Sequence, residues 1–209
     1  MESPEAAGAR RCRQILVELL RPLGVGAEAW AARLIARFGS LAAVLAADPG
    51  EQARILIDGD AAVRLLATVR GAMLHALRSA AYAGPVLADS GALIDYLTLD
   101  MGRLATERLR VLFLNARNHL LFDETLAEGS VNETAVHPRE IVRRALEVGA
   151  TAIILVHNHP SGDPTPSASD VEATRRIAMA AGALDICIHD HVIIAGSAWT
   201  SFRALGLLQ

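Results

Sequence analysis

The sequence predicts a two-part protein: a small all-helical region, then an α/β (α+β) domain built around one sheet. Three observations carry this. Up to about residue 83, apolar residues recur at helical spacing. Beyond Gly84-Pro85, short apolar runs alternate with helical patterns. One of those runs, "ATAIILVHNH" (150–159), is too apolar to be half exposed and reads as a central strand.

In the first region, residues 10–23 form an amphipathic pattern that stops at Pro22-Leu23-Gly24. Residues 27–40 give a second helix, ended by Gly39. Residues 40–50 give a short third, with Ser40 as N-cap and Pro49-Gly50 as its stop. Residues 59–83 give a long fourth. The domain boundary is expected at Gly84-Pro85, dividing the chain into 1–83 and 84–209. After it come a helix at 92–105 and two strands within 108–129 around a turn at Asn115–Asn118. A helix starts at Pro138, the central strand follows, another helix spans 167–184, and a strand or strand pair lies within 185–196.

Composition narrows the function classes. The chain has 209 residues and a net charge of −3, which does not suggest avid, non-specific nucleic-acid binding. Residues 1–83 hold ten Arg against eight acids, and the remainder ten Arg against fifteen acids. There is no lysine, which excludes a phosphate loop ending in Gly-Lys and a Schiff-base mechanism. Cys12 and Cys187 form no Cys-x-x-Cys pair, which fits a reducing interior. No apolar run approaches the roughly 20 residues that span a bilayer. A cytoplasmic protein without membrane association is the expectation.

The chemistry concentrates in "HNHPSGDPTPSASD" (157–170). His157 and His159 are two apart at a strand's end, so both project to one face. Asp170 falls on the first turn of the next helix, after a turn-rich loop long enough to fold back. His, His and Asp with one position open suit a zinc site of the catalytic kind. A plainer reading also stands: Ser167 and Asp170 have the spacing of a helix N-cap with an acid at N3, and the histidines merely end a strand. The two readings are compatible. A His-Glu-x-x-His helix and the zinc deaminase pattern are both missing. The adjacent letters H-N-H do not make an HNH nuclease, whose three residues are spread over a longer ββα motif.

The spacing His-x-His, seven residues, Ser, two residues, Asp matches the JAMM (MPN+) metalloprotease signature. The surrounding stretches, "VHPREIVRRALEVGATAIILVHNHPSGDPTPSASDVEATRR" and "HDHVIIAG", resemble the RadC family over about residues 90–209. That resemblance implies an MPN/JAMM-like domain with a central mixed sheet flanked by helices. It implies a zinc hydrolase of peptide or isopeptide bonds, with Zn2+ on His157, His159 and Asp170. Glu107, ahead of the domain's first strand, would be the general base on a water whose pKa zinc lowers to about 7. Glu133 and Glu140 are the fallbacks. Ser167 would donate a hydrogen bond to the oxyanion. His137, Asp190 and His191 match family positions and are candidates for orienting a ligand from behind.

The family's N-terminal part resembles a helix-hairpin-helix. Here "LIDGDAAVR" has one glycine too few, and Asp58 and Asp60 would repel phosphate. A degenerate helical docking domain, with at most a weak association with DNA, is the expectation. A peptide or protein substrate leads. The alternative is a DNA-repair accessory protein that binds nucleic acid and uses the metal domain as scaffold. Metal-dependent DNA cleavage ranks lower, because no second acidic cluster offers a two-metal site.

Overall fold

The computed structural model describes residues 4–86, 90–129 and 137–208. The chain divides into two compact units, Met1–Ala76 and Leu77–Gln209.

The first unit is helical. It holds α1 (Pro4–Leu20), a single 3-10 turn at Arg21–Leu23, α2 (Ala27–Phe38), α3 (Leu41–Ala46), α4 (Pro49–Ile55) and most of α5 (Asp60–Ala81). Ser40 caps α3, its side chain accepting from the Ala43 N–H at 3.1 Å. Pro49 does not stop a helix, as the sequence suggested, but opens one. It occupies the first turn of α4, where a missing N–H costs nothing, and Asp48 caps it through the N–H groups of Gly50 and Glu51. Leu16, Leu20, Leu34, Val44, Leu56 and Leu66 are fully buried in this unit's core.

The second unit contains α6 (Ser90–Met101), β1 (Glu107–Leu114), β2 (Leu120–Gly129), α7 (Pro138–Glu147), β3 (Ala152–Asn158), α8 (Ala168–Gly182), β4 (Cys187–Ala195) and β5 (Ala198–Ser201). The strands form one mixed sheet in the order β2-β1-β3-β4-β5. β1 is antiparallel to β2 and to β3; β3 and β4 run parallel, with α8 as their connection; β5 returns antiparallel to β4. Every residue of β3 is buried, as its unbroken apolar run requires of a central strand. Val111, Phe113, Ile153 and Leu155 pack with Ile141 and Ala145 of α7 and Ile177 and Ala181 of α8.

The β1–β2 turn is held locally. The Asn115 side chain accepts from the Arg117 and His119 N–H groups, and Asn118 takes the left-handed conformation at φ 60°. Elsewhere the unit carries a buried polar knot. The Arg110 guanidinium is bonded to Asp100 and Asp123 and donates to the Tyr96 hydroxyl at 2.7 Å; Tyr82 donates to Asp123 at 3.1 Å. The Asp123 side chain is fully buried. Gly102 is required by a close approach: a Cβ there would lie 2.2 Å from the Gly196 carbonyl oxygen. No helix among the described residues is long and apolar enough to cross a membrane.

Candidate metal centre

β3 delivers His157 at its end, and the chain turns out of the sheet just after it. His159 keeps one more ladder bond, its N–H donating to the Ile194 carbonyl at 2.8 Å. The loop then folds back through Gly162, at φ 83°, so that the Asp163 carbonyl meets His159 Nδ1 at 2.8 Å. A carbonyl only accepts, so Nδ1 carries a hydrogen, and Nε2 is the nitrogen turned toward His157 and Asp170. Asp163 shapes the turn as expected, its carboxylate accepting from the Thr165 N–H at 2.9 Å.

Asp170 enters on the first turn of α8. Ser167 and Asp170 form a reciprocal capping box: the Ser167 oxygen accepts from the Asp170 N–H at 3.1 Å, and the Asp170 carboxylate accepts from the Ser167 N–H at 2.8 Å. The Ser167 hydroxyl donates to the same carboxylate oxygen at 2.6 Å. Burial works against ionisation of Asp170. The neighbouring His157 ring and the Ser167 hydroxyl and N–H outweigh it and hold the carboxyl well below the usual carboxylate range.

Thus the cap and the cluster are the same structure. One ligand atom from each of His157, His159 and Asp170 lies within 4.8 Å of the others. His157 Nε2 is 2.9 Å from His159 Nε2, and each is 3.4 Å from an Asp170 oxygen. Ligands on a tetrahedral ion with bonds of about 2.1 Å stand roughly 3.4 Å apart, so the histidine–carboxylate separations fit and the histidine pair is slightly closer. His157 Nδ1 faces His191 Nε2 at 2.7 Å, so its Nε2 is the nitrogen turned toward His159 and Asp170. Two imidazole nitrogens and a carboxylate converging on one point are a donor set suited to a cation.

A cavity of about 160 Å³ adjoins this cluster. His157 and Asp170 line it together with Glu107, His191, and apolar Leu109, Pro138 and Ile177. Glu107 begins β1, beside the register pair Leu109–His157. Glu140 is instead engaged on α7 with Arg139 and Arg143, and Glu133 lies outside the described residues.

The three residues expected to orient ligands from behind separate. His191 is buried and touches His157. Burial, and then the adjacent His157, push its pKa down. Asp190 does not reach a ligand. Its carboxylate accepts from the His191 and Arg203 N–H groups and the Ser201 hydroxyl, fastening β4 to the end of β5 and the chain after it. His137 is the exposed N-cap of α7 and makes no side-chain cap bond.

Two participants escaped the sequence reading. Thr174 bonds both His191 and the Asp170 carbonyl, each at 2.6 Å. Asn158 is 1% exposed and bonds the main chain at Thr106 and Arg108. Thr174 stands four residues after Asp170, on the same helical face, and that spacing was the available signal.

Comparison with known proteins fits this geometry. Residues 87–207 match the model of the RadC-like JAB domain. A UPF0758 protein of Rhodobacter capsulatus is 47% identical over 178 residues, covering 85% of this chain and 83% of that protein. The chain belongs to the RadC family. The matched residues 87–207 include the His157–His159–Asp170 cluster.

Proposed function

We propose that this RadC-family protein is a zinc-dependent hydrolase of the JAMM type that cleaves a peptide or isopeptide bond. The observation that carries the reading is the convergence of His157, His159 and Asp170 beside a cavity that Glu107 also lines. His157 Nε2, His159 Nε2 and the Asp170 carboxylate would hold the ion. Zinc, when bound, supplies a Lewis acid that brings the pKa of water to about 7.

The remaining chemistry belongs to the chain. Glu107 takes a proton from the attacking water and returns it to the departing amine. Ser167 donates its hydroxyl hydrogen to the oxygen of the tetrahedral intermediate, releasing it from Asp170 to do so. Leu109, Pro138 and Ile177 give the cavity apolar walls that favour an apolar substrate group beside the scissile bond and exclude competing water.

The test is metal content of protein purified without added metal, beside a His157→Ala/His159→Ala variant. It is followed by cleavage of peptide and isopeptide substrates with and without chelator. About one zinc per chain, lost in the variant, together with chelator-sensitive cleavage is expected. Absence of zinc even after it is offered would overturn the proposal.

A further inference from the structure

We propose that Arg176 sets the specificity of this site: its guanidinium, at the cavity that His157, Asp170 and Glu107 line, binds a carboxylate carried by the substrate about one side chain from the scissile bond. This rests on the hydrolase reading and deepens it by naming the chemical class of the substrate, a peptide that bears a carboxylate there.

The helix that brings Asp170 also brings the arginine. Asp170, Ala173 and Arg176 stand three residues apart and form one row along the surface of α8. All three line the cavity. Thr174 and Ile177 are buried, whereas Ala173 and Arg176 are exposed. Ala173 contributes only a methyl group to the row between the carboxylate and the guanidinium. Arg176 starts about 9 Å along the helix axis from Asp170. Long side chains on a helix lean back toward its N-terminus, which carries the guanidinium toward the cluster.

Charge sets Arg176 apart. Arg108, the other arginine of the cavity wall, is taken by both oxygens of Glu128, at 3.0 and 3.1 Å. On α8, Arg175 holds both oxygens of Glu172, at 3.0 and 2.9 Å, and Glu172 feels the Arg176 charge through space only. Among the described residues Arg176 makes no hydrogen bond or ion pair. The two acids of the wall, Asp170 and Glu107, would be offset by a divalent cation, which leaves the Arg176 charge uncompensated. A planar guanidinium offers paired donors that match a carboxylate.

Shape agrees with charge. A cavity of about 160 Å³ is smaller than the roughly 300 Å³ at which pockets for drug-sized ligands begin, so it takes one side chain. Leu109, Pro138 and Ile177 suit an apolar stem, and Arg176 suits a carboxylate at its end.

The test uses the full-length, zinc-loaded chain and matched peptide and isopeptide substrates with Glu, Gln or Lys beside the scissile bond. Unsubstituted protein should favour Glu over Gln by about tenfold or more in kcat/KM. Arg176→Gln should bring that ratio close to one, and Arg176→Glu should turn the preference to Lys. Equal use of Glu and Gln by the unsubstituted protein, or a preference that survives Arg176→Gln, overturns the assignment. A binding arm reads the Ala173 and Ile177 amide shifts, present in every variant, during titration with acetyl-glutamate amide, acetyl-glutamine amide or acetyl-leucine. A response to acetyl-glutamate amide alone, lost in Arg176→Gln, marks an acidic side chain as the ligand. A response to acetyl-leucine, lost in the same variant, marks the carboxylate of a chain terminus. A response that survives in Arg176→Gln, or none to either acid, overturns the carboxylate site. If the shifts depend on Arg176 but no peptide is cleaved, the hydrolase reading falls and the carboxylate site stands.

Discussion

Asn158 holds the main chain on both sides of Glu107. Its amide nitrogen donates to the Thr106 carbonyl at 3.0 Å, and its amide oxygen accepts from the Arg108 N–H at 2.9 Å. The residue between the two histidines therefore ties the start of β1, and the acid standing there, to the strand that carries His157. Asn158→Leu leaves both main-chain groups without their partner. Stability should drop by about 1–3 kcal/mol in denaturant titration. Turnover should fall by about 10- to 100-fold while zinc content stays at the unsubstituted level. Loss of zinc in step with activity would show that Asn158 supports the histidines instead of Glu107.

Glu107→Gln tests the acid itself. The amide cannot accept the proton of water, so cleavage should fall by about a hundredfold or more. Glu107 is not one of the three clustered ligands, so zinc binding should be unaltered. Both quantities are read on the same preparation, by elemental content and by initial rate.

Zinc should stabilise the fold by mass action. At a free concentration a hundred times the dissociation constant the gain is about 2.7 kcal/mol, visible as a raised melting temperature. Asp170→Asn separates the two jobs of that residue. The amide oxygen still accepts from the Ser167 N–H, so α8 stays capped, while the negative ligand is gone. The variant should melt like the metal-free protein and respond little to zinc. A metal-free variant that melts much lower would mean that the charge serves mainly the helix.

The polar knot around Arg110 makes a prediction at alkaline pH. The chain has two tyrosines, and both belong to the knot. Burial, then the charge of Asp123, pushes the Tyr82 phenol above its ordinary value of 10.0, and Tyr96 in the same direction. In the unfolded chain these phenols lose protons near pH 10, while the folded chain keeps them. The unfolded state then binds fewer protons, so stability is complete below that pH and declines as pH rises through it. The slope is at most about 1.4 kcal/mol per pH unit for each phenol. Tyrosinate absorbance should stay low until the protein unfolds, and Tyr82→Phe should make the decline shallower. Ordinary titration of both phenols in the folded protein would sink this reading.

Much of this was readable from local pattern. His157 and His159 stand out because a strand returns to the same face every second residue, and Ser167 and Asp170 because a capping box has fixed spacing. β3 announced itself by an unbroken apolar run. Pro49-Gly50 misled because proline ends a helix from inside yet begins one from its first turn, and only the cap at Asp48 distinguishes the two cases. Thr174 was marked only by its four-residue spacing from Asp170, and Asn158 and the Asp163 carbonyl by nothing local. Asn158 bonds main chain far away in sequence, and no periodicity marks such a partner. Asp190 was a candidate because it matches a family position; its carboxylate bonds the Ser201 hydroxyl and the Arg203 N–H instead.

The β3–α8–β4 connection holds His157, His159, Ser167, Asp170, Thr174 and His191 in one uninterrupted stretch, whereas Glu107 comes from β1. On the proposed reading, the residues that would hold the ion and the acid that would use it are written in separate passages of the chain. A descendant that lost Glu107 alone would keep the whole ion-holding assembly. From such an ancestor, selection can draw a docking or sensing protein without rebuilding its centre.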